Sequence, residues 1–247
     1  TASGKLHWHL GLLVIHLVCV ATSHAIMSAA AAPPIELKMH DLFNITALSI
    51  ITLLSLSYLI QATEYSNLGT AQIGSEYYDS GAFLHRVFAV YVLFDSIWIT
   101  LLPQSVPGSP WGIVAHHIVC LFLISIPLVV PQFLWHGAVS MFVEINTVFL
   151  TLRRNVLLNS PAYHISNFLF YATWLLLRLV LFPLLAVFFY FEYVRYSGEC
   201  GTYQNVLAFS FLLQGLIAGM GYRWTYEMLC KQRGGEQRDQ RDQRDQW

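Results

Sequence analysis

The stretch VAHHIVCLFLISIPLVV, Val114 to Val130, reads as membrane, yet it carries two adjacent histidines near its start. A helix that crosses the hydrocarbon core of a bilayer needs about 20 predominantly apolar residues. The run around this stretch, Trp111 to Val130, meets that length. Working outward, comparable runs occur at Trp8 to Met27, Leu42 to Ile60, Phe83 to Leu102, Phe133 to Leu152, Phe168 to Tyr190 and Val206 to Leu229. Composition agrees: 56% of the residues are apolar and 11% charged, against about 25% charged in an ordinary soluble domain. Lipid offers no partner to a free backbone N–H or C=O, so runs of this kind must be helices. The expectation is an all-α polytopic bundle of about seven transmembrane helices.

The organisation that follows has three parts. Residues 1–40 hold a first transmembrane helix, a possible signal anchor, and a linker; 41–230 form a six-helix membrane domain; 231–247 are a charged tail. Lys5, the apolar run after it and the small-residue sequence MSAAAAPP (27–34) also fit a cleaved signal peptide. The run is longer than the usual core of such a peptide, which favours a retained helix. Lys38, Arg153, Arg154 and the Arg-rich tail fall on one face of a seven-span chain. Positive loops stay cytosolic, so the N-terminus is expected in the lumen and the C-terminus in the cytosol. The longest polar connection is Gln61 to Gly81. The tail EQRDQRDQRDQW has no apolar face and is expected as a solvated helix or as disordered chain. Asn44 heads an N-x-T sequon at the start of a span, where glycosylation is not expected.

Several function classes are disfavoured. The net charge is −1, and no basic patch marks a nucleic-acid partner. Membrane metalloenzymes use histidines spaced along one helical face, and no H-x-x-x-H or H-x-x-H-H occurs, so no metal is expected. A retinal Schiff base needs a lysine inside a late span, and the lysines are Lys5, Lys38 and Lys231. Pro127, Pro131 and Pro183 interrupt spans, but not at matching positions in two halves, as repeat-built transporters often do.

An ionisable group inside a span costs at least a few kcal/mol unless it faces the bundle interior and finds a partner. His85, Asp95, His116, His117, Glu144 and Arg178 are such groups. Ser140, Glu144, Thr147 and Thr151 recur at helical spacing, which turns Glu144 toward something polar. Arg178 can close the bundle against Asp95 or Glu144, or bind an anion; the two roles stay open. His116 and His117 lie about 100° apart on a helix, so one faces the centre and the other can orient it. Imidazole acts as a base near neutral pH, and a neighbouring carboxylate holds its tautomer.

YVLFD (91–95), HHIVCLFLIS (116–125) and EINTVFLTLRRNVL (144–157), taken together, resemble the TLC domain family, from about Asp41 to Leu229. The resemblance implies six helices curled around a lipid-accessible cavity, long acyl chains as cargo, and residence in the endoplasmic reticulum. In the ceramide synthase branch a histidine pair, matched here by His116 and His117, serves acyl transfer from coenzyme A to a sphingoid amine. That branch continues with a His-Asp pair and a further Asp, where this chain offers Glu144 and Asn146, so the pattern looks closer to the smaller TLC-domain proteins. The functional expectation is a lipid acyltransferase that uses acyl-CoA as cosubstrate, with no bound cofactor. His116, His117, Asp95 and Glu144 would be its catalytic groups, and His85, Asn146 and Arg178 would bind substrate. The alternatives are a non-catalytic lipid-binding protein that regulates membrane composition, and a structural subunit of a larger membrane complex. In each case membrane lipids are the expected partners, with oligomerisation allowed.

Overall fold

The computed structural model describes residues 35–68, 75–158 and 160–244. The expected first span, Trp8 to Met27, lies outside the described residues. Eight α-helices are described: α1 (Ile35–Leu68), α2 (Ser75–Leu101), α3 (Pro110–Val129), α4 (Leu134–Phe142), α5 (Ile145–Asn155), α6 (Pro161–Thr173), α7 (Phe182–Cys200) and α8 (Val206–Arg244). Among the described residues, six stretches are long and apolar enough to cross a membrane: Ile35–Ala62, Tyr77–Leu101, Pro110–Val129, Pro131–Asn155, Pro161–Cys200 and Val206–Cys230. They correspond to the six expected spans after the first, so an all-helical membrane fold is established.

The ends of these helices follow local chemistry. Ser109 and Ser160 are N-caps, accepting from the N–H groups of Gly112 (3.2 Å) and Tyr163 (3.1 Å), and each is followed by a proline at the first helical position. Proline is at home there, because its missing N–H would have no helical partner in any case. Gly201 closes α7 with φ +65°, a left-handed conformation that glycine adopts without steric cost. The polar connection between the first two described spans is shorter than its composition suggests. Gln61–Leu68 continues α1 and Ser75–Gly81 belongs to α2, since polar residues beyond the hydrocarbon can stay helical. The charged tail likewise extends α8 to Arg244.

Two spans depart from a single straight helix. The fourth consists of α4 and α5, joined by a tight turn at Val143 and Glu144. The fifth runs from α6 into α7 through a π-helical segment, Trp174–Leu181, where the Phe182 N–H reaches back to the Leu177 carbonyl. Pro183 follows at once and cannot donate to the carbonyl four residues earlier, that of Leu179. The Tyr222 hydroxyl of α8 donates to that carbonyl instead, at 3.3 Å.

Neighbouring helices close a ring. In order around it stand α1, α2, α3, α8, the α6–α7 rod and α5, which returns to α1. α4 packs against α1, α2 and α3. Phe122, Phe168, Leu184 and Phe209 point outward and are exposed, which suits contact with acyl chains. Inward lies a core of Leu48, Ile51, Leu84, Phe88, Leu134, Ala138 and Met141. A smaller cluster of Leu123, Val143, Phe182, Leu185 and Ile217 ties α3 to the fifth span and α8.

His85 belongs to this packing. Its Nδ1–H donates to the Gly81 carbonyl at 2.8 Å, and its ring lies where a Cβ on Gly137 would have to stand. Only glycine lets α4 approach α2 this closely. Gly137→Ala is therefore expected to lower the thermal unfolding temperature in detergent, through overpacking worth about 1–3 kcal/mol. His85→Ala placed in that background should recover part of the loss, and an unchanged melting curve for Gly137→Ala would contradict the contact.

Candidate functional site

A cavity of about 350 Å³ lies inside the ring, at the end where α1 begins and α2 and α5 end, beside Trp224, Glu227 and Met228 of α8. Ligand sites commonly span about 300–1,000 Å³, so this one is at the small end of that range. Its rim includes the exposed residues Pro107, Gly108, Ser109, Arg154 and Glu227. Its walls carry two polar networks, one on each side.

The first network joins α1, α2 and α3. His40 and Asp95 are each 2% exposed. His40 Nε2 meets Asp95 Oδ1 at 2.7 Å, and an Asn44 N–H reaches His40 Nδ1 at 3.3 Å. The Tyr91 hydroxyl donates to Asn44 Oδ1 at 2.9 Å, which fixes the amide's orientation. Trp98 and Phe43 pack beside it.

His117 completes this network. Ser96 spends its hydroxyl proton on the Val92 carbonyl (2.7 Å), so at 3.1 Å it can only accept from His117 Nδ1–H. His117 Nε2 stands 3.5 Å from Asp95 Oδ2. Asp95 thus bridges two imidazoles, and both nitrogens of His117 are directed at protein groups.

The second network joins the fourth and fifth spans. Asn146, fully buried, donates to the Phe170 carbonyl (3.0 Å) and to Thr173 Oγ1 (2.9 Å), and accepts from Arg178 Nε (3.1 Å). Thr147 relays between charges: its hydroxyl donates to Glu144 Oε2 at 2.8 Å and accepts from Arg178 Nη2 at 2.9 Å. The direct Arg178–Glu144 approach is 3.7 Å. Arg178 also packs its guanidinium near Trp174, 5.4 Å from the ring centre. The turn at Glu144 and the π segment carrying Arg178 both depart from regular α-helix, and they meet at the cavity wall.

His116 differs from its neighbour. It lines the cavity with its ring edge toward Trp224 of α8 at 5.4 Å. Among the described residues, the hydrogen-bonding atom its nitrogens approach is the Cys120 sulfur, at 3.5 and 3.9 Å. A thiol is a weak partner, so this imidazole has no strong hydrogen-bond partner among the described residues.

Of the residues singled out from the sequence, Asp95, His116, His117, Glu144, Asn146 and Arg178 line this one cavity. His85 does not; it sits in the α2–α4 packing, with Gly137 against its ring. The stripe on the fourth span holds for Glu144, Thr147 and Thr151, while Ser140 is not part of the lining. His40, Tyr91, Thr147, Trp174 and Trp224 complete the walls. His40 escapes a hydropathy reading because the apolar run starts at Leu42, whereas the helix starts at Ile35. Asn44, the sequon residue, is buried with its amide engaged.

Asn146→Ala would strip partners from the Phe170 carbonyl and from Arg178 at once. Because buried polar groups left unpaired are costly, it should destabilise the protein by about 1–3 kcal/mol. Thermal unfolding in detergent measures this, and a neutral result would show the network to be dispensable.

Comparison with curated proteins and with solved structures returned no match. The family model for the TLC domain, in contrast, matches residues 5–230, most of the chain and every wall of the cavity. The protein belongs to the TLC domain family.

Proposed function

We propose that the protein is a membrane-embedded lipid acyltransferase that moves a fatty acyl group from acyl-CoA to a lipid acceptor inside the ring. The observation that carries this reading is the state of the histidine pair. His116 faces the cavity with a thiol as its nearest polar neighbour, and His117 beside it has its Nε2 3.5 Å from the Asp95 carboxylate. In the reaction, a His116 nitrogen takes the proton of the acceptor hydroxyl or amine as its heteroatom attacks the thioester carbonyl. The tetrahedral adduct collapses with cleavage of the C–S bond, and the imidazolium returns the proton to the leaving sulfur. His117, Asp95 and His40 hold compensating charge and orientation next to it, while Arg178 keeps Glu144 from acting as a competing base. The end with Lys38, Arg153 and Arg154 is the cytosolic one by the positive-inside rule, which would open the cavity toward cytosolic acyl-CoA. Residence in the endoplasmic reticulum rests on the family alone.

The test is turnover by the purified chain in detergent. Oleoyl-CoA is supplied with a lysophospholipid, a diacylglycerol or a sphingoid amine, and products are read by mass spectrometry. His116→Ala is expected to lower turnover by about 10²–10⁴-fold, the usual worth of a positioned acid–base group, with acyl-CoA binding retained. Undiminished turnover in both His116→Ala and His117→Ala would refute the role.

A second reading is favoured by the engagement of both His117 nitrogens and by the modest cavity volume. In it the polar groups satisfy one another around a bound lipid, and the protein adjusts membrane composition without chemistry. Its signature is co-purifying lipid in a preparation that turns over none of the three acceptors.

A further inference from the structure

Among the described residues, the carboxylates and guanidinium groups that line the cavity each have an ion-pair partner, with one exception. Arg154 holds Asp41 at 2.7 Å, His40 holds Asp95, Arg178 faces Glu144, and Arg223 holds Glu227. Arg153 lines the same cavity and has no carboxylate within ion-pair distance among the described residues. Its guanidinium lies over Phe170 at 4.3 Å from the ring centre, with Tyr171 at 5.5 Å. One Nη1–H donates to the neutral amide oxygen of Asn167 at 3.0 Å.

This arrangement fixes the plane of a cation without cancelling its charge. A guanidinium has five N–H donors in a rigid fork, and Nε and Nη2 have no hydrogen-bond partner among the described residues. An arginine at the end of a span ordinarily reaches outward to water. Arg153 instead lies back on Phe170, half-buried, beside the mouth. It occupies the last turn of α5, the level at which a span leaves hydrocarbon and lipid phosphates begin. A forked donor matches two oxygens of a phosphate.

We propose that Arg153 anchors the phosphate of an amphiphile whose acyl tail enters the cavity. The phosphate can belong to a phospholipid head group or to the pyrophosphate of acyl-CoA; both present the same anionic oxygens. The site rests on the reading that the cavity admits a lipid, and does not require that it be a catalyst.

Three probes with one common tail separate the possibilities: oleoyl-CoA, oleoyl lysophosphatidate and monooleoylglycerol, each titrated by native mass spectrometry against the full chain in detergent. Arg153→Gln is expected to weaken at least one phosphate-bearing probe about tenfold or more, leaving monooleoylglycerol unchanged. Which probe suffers identifies the source of the phosphate. Arg153→Lys should recover part of the loss, and Asn167→Ala should produce a smaller loss of the same kind by freeing the guanidinium. Equal losses for all three probes, no loss for either phosphate, or a parent protein that prefers neither phosphate to monooleoylglycerol would overturn the site. Acyltransfer can fail while the Arg153 effect persists, which would reject the enzyme and keep the anchor.

Discussion

A charge that must live inside a bilayer needs an opposite charge or a proton, and the arrangement of this protein follows from that requirement. Asp95 cannot face hydrocarbon as a bare carboxylate, so His40 and His117 stand against it from two other helices. Glu144 and Arg178 answer each other from the fourth and fifth spans, with Thr147 and Asn146 filling the remaining valences. These contacts link α1 to α2 and α3, and α5 to the α6–α7 rod. Apolar packing between helices in lipid gains little from the hydrophobic effect, because lipid tails are as apolar as leucine. The polar pairs therefore carry much of what specifies which helices are neighbours.

The same groups that specify the ring leave space between them. Imidazole, carboxylate and guanidinium meet end to end and cannot fill volume as branched aliphatics do. Beside this space Leu48, Leu84, Leu134, Ala138 and Met141 form an apolar core, and Gly137 lets two backbones close on His85. An apolar core thus adjoins a cavity whose walls combine the polar networks with apolar residues such as Ile99, Ile113 and Leu150. That contrast is what turns a bundle into a site with a mouth and a floor.

Much of this was legible in the sequence, since an ionisable residue in an apolar run is conspicuous. Asp95, His116, His117, Glu144 and Arg178 all stand out on that ground, and all reach the cavity. His85 stands out equally and lies elsewhere. It precedes Asp95 by ten residues on one helix, about 15 Å along the axis, and pattern alone does not say how deep a cavity extends. His40 was hidden for the opposite reason: with Glu36 and Lys38 before it, it reads as part of a connection, although α1 already includes it. The π segment has no compositional mark beyond Pro183, because wide turns depend on what a neighbouring helix offers to the freed carbonyls. Here that offer is Tyr222.

The fifth span shows what such a segment achieves. Its first half grips α5 through Asn146 and its second half grips α8, two neighbours on different sides of the ring. A uniform helix of 40 residues would keep one apolar stripe on a slowly drifting bearing. Widening a few turns rotates everything downstream relative to everything upstream, so one unbroken rod can shake hands with successive companions. A loop could do the same in water; in oil, where exposed backbone is forbidden, a change of pitch is the gentler swivel.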